Sequence, residues 1–452
     1  MKSVITCDME GRVLTMNDDA EKVFGYKKSE IIGKKRVSIF SPGEIVLQNV
    51  GEWLSKANKF GEFVTKTYFL KKDGTKVNAR IRISPTFANG KSNPQTGYCG
   101  ITIPIKEEVF VEINFLTKII KFLAVTRMPF TSASLFPVLC VGSYYSALGN
   151  NLFSISSFIL CIFGILLLHL GANVYNDYFD VKDGTDEANT EYFNSGGLPN
   201  LLKKFSAQIS GGSRAIELGL INLNQTKILA NLFIFCSFIF GLFIFYNSYL
   251  ITGSFNNVIG ALSIGFIGLL LGYFYTARPI RLSSRNGLGE LSIFLAFGPL
   301  LTLGTAFAIS SESIYLYSDA FYHFLFFGFP MGLLTTNILF INQFPDAESD
   351  AKTGKNNLVV SLGKENSRWL YLIFLSLAFI SSFFMLNIFD TNIINFRSDV
   401  FIIGLLILYG FGLYINYRLF YDYKSRELIR SNVNTIVLQS VFCIFYIILF
   451  YL

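Results

Sequence analysis

The chain has 452 residues, 52% of them hydrophobic and only 15% charged, and its mean hydropathy of +0.46 excludes a protein that is soluble throughout. A net charge of +7 would suit nucleic acid, but beyond residue 121 Lys and Arg gather in particular loops between apolar runs, a pattern of membrane topology that argues for a lipid bilayer and no nucleic acid as partner. The six cysteines are scattered with no Cys-x-x-Cys pair, so they read as free thiols, neither a disulfide framework nor metal ligands.

Residues 1–108 have soluble-domain polarity. The first 25 residues hold no charged start followed by a short apolar stretch, so no secretory signal is read and this domain is expected in the cytosol. Val77, Ala79, Ile81 and Ile83 alternate with Lys76, Asn78, Arg80 and Arg82, the period of a half-buried strand. Glu62 to Lys71 reads as its neighbour, and Asp73-Gly74 between them as a hairpin turn, because both residues tolerate positive φ. Tyr98 to Ile105 is a last strand. Asp8 to Val13 forms a first hairpin, followed by a short helix over Asp18 to Gly25. The ordered set Asp8-x-x-Gly11, Asn17, Ala20, Phe24-Gly25-Tyr26, Glu30-Ile-Ile-Gly33-Lys34 and Lys72-Asp73-Gly74-Thr75 resembles a PAS domain, a small α+β unit with an antiparallel sheet. The resemblance implies a sensor or regulatory module, or a PAS-mediated dimer. Its ligand stays unknown, and a His-ligated haem has no ligand here because residues 1–108 contain no histidine.

Residues 109–121 mix apolar residues with Lys118 and Lys121 and read as an interfacial linker. Apolar runs long enough to cross about 30 Å of hydrocarbon then occupy 122–147, 152–177, 227–247, 256–277, 290–310, 321–344, 367–388, 400–420 and 434–452. The expected fold of 122–452 is an all-α bundle of nine transmembrane helices. The loops after helices 2, 4, 6 and 8 hold Lys182, Arg214, Arg278, Lys355 and Arg418, among other cations, whereas the opposite loops carry almost none. The positive-inside rule therefore places those loops, and the N-terminal domain, in the cytosol.

Carboxylates end two of these runs. Asn173, Asp177 and Asp180 fall at i, i+4 and i+7, on one face of one helix end. Asn342, Asp346 and Asp350 fall at i, i+4 and i+8 at another. Such hard, oxygen-only surfaces suit Mg²⁺, and two of them suggest one shared site. A cavity so lined fits an apolar tail with a multiply charged head, such as a polyprenyl diphosphate. Mg²⁺ would neutralise the departing diphosphate, and an electron-rich aromatic ring would capture the allylic cation. Three further residues need a reading. Pro345 removes the donor for the Ile341 carbonyl and predicts a kink. His169, on the face of Asn173, reads first as a hydrogen-bonded core histidine and second as an acceptor-site group. Asp183 reads as a solvated loop charge.

The blocks Asn176-Asp177-Tyr178-x-Asp180-x-x-x-Gly184-x-Asp186, Ser210-Gly-Gly-Ser-Arg214, Tyr275-Thr276, Gly287-Leu-Gly-Glu290, Phe297-Gly-Pro299 and Asp346-x-x-x-Asp350-x-x-x-Gly354-Lys355 occur in order. From Phe122 onward the chain resembles the UbiA superfamily of intramembrane prenyltransferases, in particular its 1,4-dihydroxy-2-naphthoate polyprenyltransferases of menaquinone synthesis. That resemblance implies that Asp177, Asp180, Asp346 and Asp350 are catalytic and bind Mg²⁺ and diphosphate. It further implies that Asn173, Asn176, Arg214, Arg278 and Lys355 contact substrate, and that Tyr275 lines the acceptor site. Other acceptors of the superfamily are 4-hydroxybenzoate, homogentisate or an alcohol. A non-enzymatic membrane sensor or transporter would instead use the carboxylates as an ion path and would place them at mid-membrane depth.

Overall fold

The computed structural model describes all residues except 89, 91, 150, 185–214, 393–395 and 426, and of 390–392 the backbone only. Five strands, β1 (Ser3–Asp8), β2 (Val13–Met16), β3 (Phe63–Leu70), β4 (Lys76–Thr86) and β5 (Gly97–Pro104), form one sheet of order β2-β1-β5-β4-β3, antiparallel at every pairing. The hairpin read at Asp73-Gly74 joins β3 to β4. Gly74 has φ 83°, and Asp73 Oδ1 accepts from the Thr75 amide at 2.8 Å, so each residue supplies what the turn requires. Helix α1 (Asp18–Phe24) starts under an Asn17 cap, whose Oδ1 accepts from the Ala20 amide at 3.0 Å, and stops at Gly25 with φ 77°. Rings of Phe24, Phe40 and Phe69, with centroids 4.4 and 5.7 Å from Phe24, fill the space between helices and sheet. Helix α2 (Gly51–Phe60) covers another part of the sheet with Trp53 and Ala57.

The bundle follows: α3 (Phe115–Thr126), α4 (Ser132–Leu148), α5 (Ile155–Lys182), α6 (Leu223–Thr252), α7 (Phe255–Phe274), α8 (Leu288–Phe297), α9 (Pro299–Ile309), α10 (Asp319–Phe327), α11 (Phe329–Lys352), α12 (Leu358–Phe384), α13 (Leu386–Asn392), α14 (Ser398–Asp422) and α15 (Leu428–Leu449). Among the described residues eight helices are long and apolar enough to cross a membrane, and nine when one bent pair counts as a span. That pair is α3 and α4, bent by 57°. Residues 115–121 of the expected linker and the head of the first apolar run thus share α3. The bend sits at Arg127, whose φ of 51° is the left-handed conformation that ends a helix. Through Pro345, by contrast, α11 runs on as one helix to Lys352. Where the α8–α9 junction meets the α10–α11 junction, a Cβ on Gly328 would lie 2.3 Å from the Gly298 carbonyl carbon, so only glycine permits that crossing. All six cysteines are free thiols.

The sheet domain docks on the bundle through a few specific contacts. Gln48 donates to the Glu112 carbonyl at 2.9 Å, while its Oε1 accepts from the Asn114 amide and the Thr117 hydroxyl at 2.9 and 3.0 Å. Lys121 pairs with Glu44. Arg36 Nε lies 3.2 Å from Glu217 Oε1, with the Arg36 side chain only 6% exposed. Between these pairs Val46 and Leu47 pack against Ala124, Val125, Ala215, Leu218 and Leu220. A Cβ on Gly43 would come within 2.7 Å of the Leu218 carbonyl. The domain therefore grips both α3 and residues 215–221.

Candidate active site

The two acidic helix ends belong to α5 and α11, and one cavity of about 270 Å³ takes in both. Asn173, Asn176 and Asp180 line it from α5, and Asn342, Gln343, Asp346 and Asp350 from α11. Tyr275 and Lys355 complete that end, so seven of the ten residues expected to bind metal or substrate share one wall system. Lys355 connects the halves. Its Nζ lies 3.6 Å from Asp180 Oδ1 and 3.7 Å from Asp350 Oδ1, with the side chain 17% exposed. Burial alone would lower its pKa, but the Asp180 and Asp350 carboxylates more than offset this and hold the ammonium above the ordinary lysine range.

Local sequence explains how Lys355 gets there. Gly354 takes φ 71° just after α11, which folds the chain back so that the Lys355 amide donates to the Asp350 carbonyl at 2.8 Å. Asn357 then caps α12, its Oδ1 accepting from the Val360 amide at 2.9 Å while its Nδ2 donates to Asp350 Oδ2 at 2.8 Å. The spacing Asp350-x-x-x-Gly354-Lys355 is thus a device for setting a cation against a carboxylate. Elsewhere in the site, Thr276 donates to Asn176 Oδ1 at 2.9 Å, which ties Tyr275-Thr276 to the first motif. Glu290, 3% exposed, accepts from Gln343 Nε2 at 2.9 Å and from the Leu358 amide at 3.2 Å. It orders the wall without touching the cavity.

Three expected residues stand elsewhere. Asp177 is buried beside the cavity and is 3.9 Å from Arg127 Nη1. Arg278 is absent from the described cavity wall; its side chain is 71% exposed and its Nε lies 3.2 Å from Asp183 Oδ1. The reading of Asp183 as a solvated charge is corrected by the same contacts: Arg281 also reaches it, at 3.3 Å, and the Asp183 side chain is only 12% exposed. Arg214, with Asp186 and the Ser210–Arg214 block, lies outside the described residues.

Sequence reasoning missed Arg127, Ser134, Gln343 and Asn357, all of which line the cavity. Arg127 carried a signal, an arginine with Pro129 close behind it at the head of an apolar run. The others look like ordinary helix and loop polarity until the helices pack.

A wall with the carboxylates of Asp180, Asp346 and Asp350 and an ammonium held between two of them is a place that calls for positive charge, and its chemistry fits Mg²⁺. Among the described residues no three acidic, His or Cys side chains converge closely enough to hold a metal by themselves. Mg²⁺ commonly takes one or two carboxylates and completes its shell with water and substrate phosphate, so the fit stands with a diphosphate as co-ligand.

Two family models match the chain: the UbiA prenyltransferase family over residues 134–437 and the PAS domain over residues 2–101. The chain is 28% identical over 251 residues to 1,4-dihydroxy-2-naphthoate octaprenyltransferase of Haemophilus influenzae, an alignment covering 56% of this chain and 71% of that protein. It is 24% identical over 295 residues to the chloroplastic 2-carboxy-1,4-naphthoquinone phytyltransferase of Arabidopsis thaliana, covering 65% of each. Among solved structures, a UbiA homolog from Archaeoglobus fulgidus bound to GPP and Mg²⁺ aligns at 13% identity with a TM-score of 0.39, covering 74% of this chain and all of that one. A family match that takes in more than half of the chain settles its membership: the chain belongs to the UbiA prenyltransferase family, as an integral membrane prenyltransferase with a PAS domain on its N-terminal side.

Proposed function

We propose that this enzyme transfers a polyprenyl group from its diphosphate to an aromatic acceptor, 1,4-dihydroxy-2-naphthoate, in menaquinone synthesis, with Mg²⁺ as cofactor. The observation that carries this reading is the Lys355 bridge between Asp180 and Asp350, which makes two distant motifs one polyanion site. Relatives named for naphthoate prenyl and phytyl transfer support the acceptor.

In this reading Asp180, Asp346 and Asp350 hold the cation, with Asp177 behind them, and the cation when bound supplies neutralisation of diphosphate charge. Lys355 and Arg127 donate hydrogen bonds to diphosphate oxygens, which gain charge as the allylic C–O bond breaks. Asn173 and Asn176 orient the head group. Ile165, Leu269, Leu271 and Ile338 in the same cavity accommodate the isoprenoid and keep water from the cation it becomes. Tyr275 borders the acceptor. By the positive-inside rule the acidic helix ends and the PAS domain face the cytosol. Purified full-length protein given Mg²⁺, octaprenyl diphosphate and 1,4-dihydroxy-2-naphthoate should release diphosphate. Release with 4-hydroxybenzoate or homogentisate instead would move the acceptor, and release with none would remove the reading.

The division into a regulatory PAS domain (1–108), a linker (109–121) and the prenyltransferase bundle (122–452) belongs to the same proposal. What supports it is the grip on α3, which ends at Arg127, and on residues 215–221, which directly follow the Ser210–Arg214 block. The first of these ends at Arg127, which lines the candidate site.

A further inference from the structure

His169 is a polar residue in a mostly apolar wall. It lines the cavity, is 8% exposed, and meets the ring of Phe297 edge-on at 5.0 Å. Its Nδ1 lies 2.7 Å from Ser134 Oγ, and Ser134 Oγ lies 3.0 Å from the Thr131 carbonyl oxygen. A hydroxyl has one proton to give. With that proton donated to the carbonyl, Ser134 accepts from Nδ1–H, and Nε2 becomes the bare nitrogen of a neutral imidazole. Nε2 makes no hydrogen bond to any described residue.

The ligand group that Nε2 awaits follows from position. His169 precedes Asp180, the α5 carboxylate that lines the cavity, by eleven residues, a rise of about 16 Å, so it stands away from the carboxylates and Lys355, with Arg127 and Asn173 between it and the diphosphate end. An isoprenoid tail offers no hydrogen-bond donor. The remaining reactant is the aromatic co-substrate, whose donor is a ring hydroxyl. Resting on the prenyl-transfer reading above, we propose that His169 Nε2 accepts a hydrogen bond from a ring hydroxyl of the aromatic acceptor, and that Ser134 positions the imidazole in the tautomer able to do so. His169 is then a specificity-determining residue. It selects a free hydroxyl over an ether, and by drawing on the O–H it raises electron density at the ring carbon that captures the prenyl group. An acceptor nitrogen facing an ether oxygen, which has no proton to give, loses its hydrogen bond, and the site discriminates by that loss.

The test compares 1,4-dihydroxy-2-naphthoate with its 1- and 4-monomethyl ethers, using full-length protein, Mg²⁺ and octaprenyl diphosphate. In the wild type one ether should be turned over far less well than the free dihydroxy compound. His169→Phe, which keeps the ring against Phe297, should lower kcat/KM for the dihydroxy acceptor by about 30-fold, with kcat falling as well as KM rising. The KM for octaprenyl diphosphate should stay within about twofold, and the preference over that ether should disappear. Ser134→Ala should shift the same ratio in the same direction by about fivefold. An unchanged hydroxyl-to-ether ratio in His169→Phe overturns the proposal, as does a rise in KM for octaprenyl diphosphate in its place. If His169→Phe loses its thermal transition, the ratio in Ser134→Ala decides. A wild type that releases no diphosphate with any aromatic acceptor overturns the parent reading and this one together, whereas robust wild-type transfer with an unmoved ratio overturns this one alone.

Discussion

The PAS domain and the membrane bundle put their charges in opposite places. In the PAS domain the core is aromatic and aliphatic, built on Phe24, Phe40 and Phe69, and ion pairs such as Lys72 with Glu30, at 2.7 Å, lie outside with both partners about half exposed. In the bundle, lipid-facing helices expose Phe235, Phe266 and Ile407, while Asp177, Asp350, Glu290, His169 and Asn173 are buried. Water screens the first set, so each pair contributes little. The second set is costly unless every member has a partner or a substrate, because a buried charge without one is strongly destabilising. The difference teaches where function sits: the bundle buries its charged side chains at the candidate site, and the PAS domain keeps its charges at the surface except for Arg36, where it docks on residues 215–221.

Breaking the buried side should cost most. Asp350→Ala or Asp180→Ala removes a carboxylate from the Lys355 bridge and should cut turnover by at least about 10³-fold, while circular dichroism shows the helices intact; near-wild-type rates in either variant would separate the carboxylates from catalysis. Chelation with EDTA should abolish diphosphate release, and added Mg²⁺ should restore it. Lys355→Met leaves the carboxylates in place but removes the cation, and should lower kcat by about 10²-fold, measured as diphosphate release at saturating substrate. Gly354→Val places a branched side chain at φ 71° and should strain the turn by about 1–3 kcal/mol, with an activity loss of about tenfold as Lys355 is misplaced.

The boundary between the two regions gives a smaller effect. Arg36→Ala leaves Glu217 without its buried partner and should destabilise the docked arrangement by about 1–3 kcal/mol, read as a lower melting temperature with a change in transfer rate. An unchanged rate would confine the PAS contacts to assembly. The exposed side should yield least: Lys72→Ala, at the surface pair with Glu30, should leave melting temperature and activity where they were.

Much of this contrast is written in short-range pattern. The Asp73-Gly74 turn, the Asn17 cap, the apolar runs and the carboxylates at i, i+4 and i+7 are local features, set by backbone preference and helical periodicity, so they are legible one segment at a time. They specified a PAS-like sheet, the membrane helices and five of the cavity's residues, Asn173, Asp180, Asn342, Asp346 and Asp350, whereas Asn176, Tyr275 and Lys355 came from the family resemblance. Only the tertiary structure decided which charges meet. Lys355 lies 175 positions from Asp180, and no periodicity relates them, yet the α11–α12 turn brings them to 3.6 Å. Arg278 was drawn to Asp183 instead of to the cavity because the loop after α7 lies across the end of α5. Ser134 and His169 are 35 residues apart on separate helices, and their pairing, which sets the imidazole's free nitrogen, exists only because α4 packs against α5. Sequence pattern determines which segments are helices and which faces are polar; packing in three dimensions selects the partner of each polar group, since in a low-dielectric interior a buried charge must be matched by contact.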